Sequence, residues 1–212
     1  MKKILKASVG AVLIALQAAS VQAAAGSAAV PVQPAVDSPE QRQALRNLLS
    51  CVAEARPRWA RQTLSHPYLS DAQANSAAAV LGGRDSCLRG EDAELTFRTS
   101  SVVANLAEHF VRSDIEKADF AKIEAAVSTI PPLNGSEDFA LCVVARNPAA
   151  ARDLTLSDFG SEAESRAIKQ LAANVKPCTI MTEQIEVDEQ ALRALASIAL
   201  YRGLTTALKS EN

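Results

Sequence analysis

Residues 142–178 read CVVARNPAAARDLTLSDFGSEAESRAIKQLAANVKPC, and residues 51–87 read CVAEARPRWARQTLSHPYLSDAQANSAAAVLGGRDSC. Each stretch opens and closes on cysteine with a separation of 36, and the two superpose without a gap at an offset of 91 residues. Cys51, Val52, Pro57, Ala60, Arg61, Ser70, Ala72 and Cys87 stand opposite the identical Cys142, Val143, Pro148, Ala151, Arg152, Ser161, Ala163 and Cys178. Equal cysteine spacing, equal proline placement and a shared Ser-acid-Ala start together point to an internal duplication.

Working outward, each copy predicts a helix, a proline break, a short helix, a longer helix, a cysteine, a short strand and a final helix. Ser38 with Pro39 and Gln41 has the form of an N-cap, a first-turn proline and a capping-box partner. Ser70 with Gln73 and Ser161 with Glu164 repeat that box. Gly82 and Gly83 follow a helix and read as its C-cap rather than as a phosphate loop. Ala163, Ala167, Ile168, Leu171, Ala172 and Val175 share one face at helical spacing, expected to cover the first helix. The strands are placed at Leu95–Phe97 and Ile185–Val187, with a pairing between them. Ala191 to Tyr201 is apolar almost all round, which predicts a buried central helix. Its counterpart, Val102 to Val111, is nearly as apolar, so the two final helices should pack together near a pseudo-twofold axis. The fold class is mainly α with minor β. Residues 38–113 form helical unit 1, 114–135 a connecting helix and loop, and 136–212 helical unit 2, both units in one globular domain.

Four cysteines allow three pairings. Within each copy the chain leaves the first cysteine along a short helix and returns along a longer one, which favours Cys51 with Cys87 and Cys142 with Cys178. Closing a loop of this length is worth about 4 kcal/mol in the chain-entropy account.

The stretch 142–178, followed by ALRALASIALYRGL at 191–204, resembles a group of secreted bacterial helical proteins of unknown function. Their shared phrasing is Cys-Val-Val, Pro-Ala-Ala-Ala and Leu-Ala-x-x-Leu-Tyr-Arg. The likeness runs from Phe139 to Leu204 and more faintly over the first copy, where Arg58 and Trp59 replace Ala149 and Ala150. It implies a helical fold and secretion, and no activity.

The first residues carry their own address. Lys2, Lys3 and Lys6 precede an apolar run of about ten residues, short of the roughly 20 that a spanning helix needs. Val21 and Ala23 then offer small residues at a cleavage site. Residues 1–23 therefore read as a signal peptide, with Ala25 as the second choice of cleavage site. Residues 24–37 read as a flexible tether. The expectation is an exported protein, periplasmic or extracellular, with no membrane span after cleavage. Removing the three lysines leaves 19 basic against 24 acidic residues, net −5, which disfavours nucleic acid as a partner.

The chemistry is sparse. Two His without ligand spacing predict no metal and no cofactor, and eight aromatic rings among 212 residues are too few for base-stacking platforms. His66 or His109 with Ser136 would make a hydrolase, yet the glycine-flanked nucleophile turn is missing. The acids Glu91, Asp92, Glu137, Asp138, Glu162 and Glu164 are expected to complement helix starts rather than to work as paired acid and base. Arg61 and Arg152 are expected to pair with Asp71 and Glu162 across helices. Arg56, Arg58, Trp59 and Arg61 form a cluster in the first copy alone. Trp59 either fills a core gap with the arginines as a solvated edge, or stands exposed to bind a protein or envelope component. The favoured function is a noncatalytic binding or structural module. The alternatives are an envelope hydrolase with a site between the units and a secreted inhibitor.

Overall fold

The computed structural model describes residues 38–82, Cys87, 98–179 and 187–210, all within one compact unit, Val36–Asn212. The signal segment, the tether and the first strand lie outside the described residues. So does the second strand apart from Val187, which is irregular chain leading into a helix.

Among the described residues the elements are helices: α1 Pro39–Ala55, α2 Pro57–Ser65, α3 Asp71–Gly82, α4 Thr99–Asp114, α5 Phe120–Thr129, α6 Gly135–Ala145, α7 Pro148–Leu156, α8 Glu162–Ala172, α9 Val175–Cys178 and α10 Glu189–Ser210, with one 3-10 turn at Ile115–Lys117. No strand occurs among them, so the minor β component of the expected fold class is not found. α2 and α7 start 91 residues apart on the matched prolines, and so do α3 and α8 at Asp71 and Glu162.

Local chemistry explains the boundaries. Ser38 and Gln41 form a reciprocal capping box at α1. Pro57 and Pro148 open α2 and α7, where a missing N–H costs nothing. Ser70 Oγ accepts from Gln73 N, and Ser161 Oγ accepts from Glu164 N. The reciprocal bonds differ from the expected box by one residue: Leu69 N donates to Gln73 Oε1 at 2.9 Å and Gly160 N to Glu164 Oε2 at 2.6 Å. The residue before each cap is held left-handed, Leu69 at φ 62° and Gly160 at φ 74°, and this turns its N–H toward the side chain four positions on.

α10 is the centre. It lies against α4, α5, α6, α7 and α8, while α1 packs on α4, α2 on α3 and α7 on α8. Its all-round apolar sequence is the cause: Leu192, Leu195, Ala196, Ile198, Ala199, Leu200, Tyr201 and Leu204 are all buried. Truncating one of the fully buried leucines, such as Leu106, Leu171 or Leu200, would cost about 2–5 kcal/mol. The face of α8 behaves otherwise than expected. Glu164, Ala167 and Leu171 are its buried positions and they lie chiefly against α7; Ala172 is exposed. Disulfides join Cys51 to Cys87 and Cys142 to Cys178, the second holding α9 against α6.

At Gly203 the backbones of α10 and α5 approach so closely that a Cβ would stand 2.6 Å from Val127 Cγ2 and 3.0 Å from the Ile123 carbonyl oxygen. Alanine normally favours a helix interior over glycine by about 1 kcal/mol. Here the neighbour is partly backbone and cannot swing aside, so overpacking outweighs propensity. Gly203→Ala is expected to lose about 1–3 kcal/mol, read as a lower urea midpoint.

Candidate functional site

The residues that organise the site come from four places in the chain. α1 supplies Arg42 and Arg46, α4 supplies Glu108 and Arg112, α10 supplies Arg193, and the segment from the end of α7 into α8 supplies Ser157, Phe159 and Glu164. Glu108 is 2% exposed and meets three guanidinium groups: Arg46 at 2.8 Å, Arg112 at 2.9 Å and Arg193 at 2.9 Å. Glu164, also buried, meets Arg193 at 2.8 Å and Arg42 at 3.1 Å. The same three arginines that meet Glu108 donate to one carbonyl oxygen, that of Ser157, at 3.3, 2.6 and 2.6 Å. The Phe159 ring is flanked by Arg46, Arg193 and Arg42 at 3.8, 4.4 and 4.8 Å from its centroid, contacts that use the negative face of the ring.

The charges do not balance. Four guanidinium groups face two buried carboxylates, and the third nearby acid, Asp158, is solvent-exposed at 3.9 Å from Arg46. The carbonyl of Ser157 and the Phe159 ring partly stand in for the missing anion. Burial pushes the Arg46 guanidinium down to about 10, with Arg193 and Arg112 adding to the effect and Glu108 and Asp158 opposing it.

Beside this cluster opens a cavity of about 410 Å³. Leu45, Tyr68, Leu69, Phe139 and Leu195 give it apolar walls, and Arg42, Arg98, Asn105, Glu108, Asp188 and Arg193 give it polar ones. Arg193 is saturated, donating to Glu108, Glu164, Ser157 and Thr155. Arg42 is not: its Nη1 bonds Glu164 while its buried Nε has no partner.

Another buried acid works at the opposite end of the matched pattern. Glu137, 91 residues after Arg46, accepts from Tyr68 N and Leu133 N at 3.1 Å and from Arg202 Nη1 at 2.8 Å. Asn134 Nδ2 donates to the Tyr68 carbonyl at 2.7 Å. The loop before α3 is thereby fixed to α6 and α10.

The residues singled out from the sequence do not form this site. Trp59 is 50% exposed, so the core-filling alternative is excluded. It sits over a shallow depression bounded by Ala55, Arg56, Pro57 and Arg58, with the Arg56 guanidinium 4.8 Å from its ring. Arg61 leaves that group: it stacks 4.0 Å over Phe110 and pairs with Asp114 at 2.9 Å. The expected partners Asp71 and Glu162 are thus corrected, because Arg61 points to α4 rather than α3. Arg152 stacks over Phe120 and reaches only its neighbour Asp153, at 3.6 Å. Burial raises the Asp114 carboxyl, but hydrogen bonds from Lys117, Arg61 and Ser113 together outweigh it and hold the group below the ordinary aspartate value. His109 packs edge-on to Phe110, and burial lowers its imidazole. Among the described residues neither histidine is hydrogen-bonded to a serine, and no His, Cys, Asp and Glu gather into a group of three able to hold a metal ion. Glu137 and Glu164 stand in the first turns of α6 and α8, as expected of helix-start acids, and are in addition buried ion-pair partners. Arg193 was missed although its signal is plain: it is the one charge between Ala191 and Tyr201, and a charge inside a buried helix must be paired.

No protein-family model matches the chain, and neither curated proteins nor solved structures yield a match. No described helix is long and apolar enough to cross a membrane.

Removing the Glu108 carboxylate would leave three guanidinium groups facing one another. Glu108→Ala is expected to cost about 3–5 kcal/mol, measured by urea unfolding; a loss under about 1 kcal/mol would show the cluster to be solvent-relaxed. Trp59→Ala is expected to shift the melting temperature by no more than about 2 °C, as exposed substitutions do. Since Trp59 is the only tryptophan, its fluorescence in the native protein should be quenched by acrylamide nearly as well as in the unfolded chain.

Proposed function

We propose that the protein is an exported, noncatalytic binding module whose cavity takes a small anionic ligand, with a carboxylate-sized group held at Arg42. The observation that carries this reading is the Arg42 guanidinium in the cavity wall with its Nε unpartnered, beside a cluster in which four guanidinium groups, two of them buried, meet two buried carboxylates. A cationic wall in a partly apolar, water-poor pocket attracts an anion more strongly than the same charge in open water. Arginine also offers a carboxylate two parallel donors.

Export is part of the proposal. It rests on the signal-like start at residues 1–23 and on two disulfides, which persist in oxidising compartments. The duplication is also part of it. Its support is the repeated helix starts, the repeated left-handed residue before α3 and α8, and the exchange of roles between Arg46 and Glu137, each reaching the loop that follows the short helix of the other unit. The ligand cavity then lies between the two ends of a two-unit domain, taking Arg42 and Arg193 from one and Tyr68, Leu69 and Phe139 from the other.

The test is a nuclear magnetic resonance titration of the disulfide-intact protein with hexanoate and, in parallel, with neutral hexanamide. Hexanoate is expected to shift resonances around α1 and α10 and to bind at least about tenfold more tightly than hexanamide. Arg42→Gln should abolish that preference, since a charge-assisted contact of this kind is worth more than the ~1.4 kcal/mol that a tenfold change requires. Equal binding of acid and amide, or none of either, would refute the reading.

A further inference from the structure

Three properties meet at Leu69. It is held at φ 62°, a left-handed conformation that leucine adopts only at an energetic cost and glycine adopts freely. Its side chain is 52% exposed, so it returns little of that cost through burial. It also lines the cavity beside Arg42, which places it at the rim.

The matched position shows what the turn itself requires. Gly160 has the same left-handed backbone and the same N–H bond to the side chain four residues on. There a Cβ would meet Pro39 Cγ at 3.2 Å, so glycine suits both the conformation and the space. The conformation at Leu69 is enforced from outside the residue: Tyr68 N is held by Glu137, the Tyr68 carbonyl by Asn134, and Leu69 N by Gln73. A left-handed residue persists when its surroundings over-determine it, and such residues gather at ligand sites. An exposed leucine alone is ordinary. A strained one, pinned by three hydrogen bonds at the mouth of a cavity, is not.

We infer that the ligand is an amphipathic carboxylate of the medium-chain fatty-acid type, its head at Arg42 and its hydrocarbon tail running along the apolar wall to Leu69. The inference rests on the anion reading above and adds the tail. Leu45, Tyr68, Phe139 and Leu195 supply the wall, and Leu69 closes it at the rim.

The experiment compares butyrate, hexanoate, octanoate and decanoate on the wild-type protein and on Leu69→Gly, with melting temperatures measured for both. Wild-type affinity is expected to rise roughly threefold per methylene as the tail leaves water. Leu69→Gly should raise the ligand-free melting temperature by about 3 °C through relief of strain. It should also weaken decanoate about tenfold while leaving butyrate unchanged. This opposite movement of stability and affinity separates a ligand contact from a structural role, which would lower the melting temperature. Affinity that is flat across the series, a Leu69→Gly protein that binds decanoate as well as wild type, or a lowered melting temperature would each overturn the tail assignment while the preference for hexanoate over hexanamide stands. If that preference is absent, the anion reading fails and the tail assignment falls with it.

Discussion

Glu108 is the carboxylate on which three guanidinium groups from three helices converge. Arg46 reaches it from α1, Arg112 from its own helix and Arg193 from α10, all between 2.8 and 2.9 Å. The neighbouring apolar faces are built largely of Ala, Val and Leu, side chains that would pack in more than one register with little change in energy. A buried charge tolerates far fewer arrangements, because sliding α10 by one turn would strand a guanidinium without its carboxylate. Burying such ions costs several kcal/mol each, and their mutual attraction offsets this only when geometry is good. The cluster therefore selects the arrangement of α1, α4 and α10 more than it deepens the stability. The disulfides and the fully buried leucines supply the depth.

A carboxylate plays the same part at Glu137, which gathers Arg202, Tyr68 and Leu133. The consequence for the surface is asymmetry. At the Glu137 end one acid meets one arginine and two backbone N–H groups, so charge is matched. At the Arg46 end guanidinium groups outnumber buried acids, and the deficit is covered by a carbonyl and a phenyl ring. The cavity lies between these two ends and is lined from both.

Much of the architecture was legible in the sequence because it is written in local signals. Ser38 with Gln41, the prolines at 57 and 148, the apolar girth of α10 and the cysteine spacing each depend on residues a few positions apart or on a simple count. The ion cluster was not legible in that way. Arg46 and Glu108 are 62 residues apart, Glu108 and Arg193 are 85, and Arg42 and Glu164 are 122, and no local rule links them. Arg61 misled for the related reason that Asp71 is nearer in sequence, whereas the fold brings Asp114 to it. Trp59 was ambiguous because it adjoins the buried face of α2. Ala60, Thr63 and Leu64 take that face, and a residue one position earlier is turned about a quarter of a circle away. The strands expected at 95–97 and 185–187 lie outside the described residues apart from Val187.

The unmatched charge has a thermodynamic consequence that links the fold to its proposed use. With Arg46 pushed down to about 10 by burial, its folded-state affinity for the proton lies below that of the unfolded chain. Stability therefore rises with pH only between about 10 and the ordinary arginine value, and below that window the whole cost of the buried charge is present. Neutral pH lies well below it, so the protein carries this cost wherever it works. An anion entering the cavity would meet Arg42 and Arg193, which line it, rather than Arg46, and any relief of the cost at Arg46 would act through the cluster and only in the folded state. Ligand binding and stability are then coupled by mass action, and a cluster that is expensive when empty becomes favourable when filled. On the proposed reading, the surplus of arginine would stabilise the liganded protein relative to the free one.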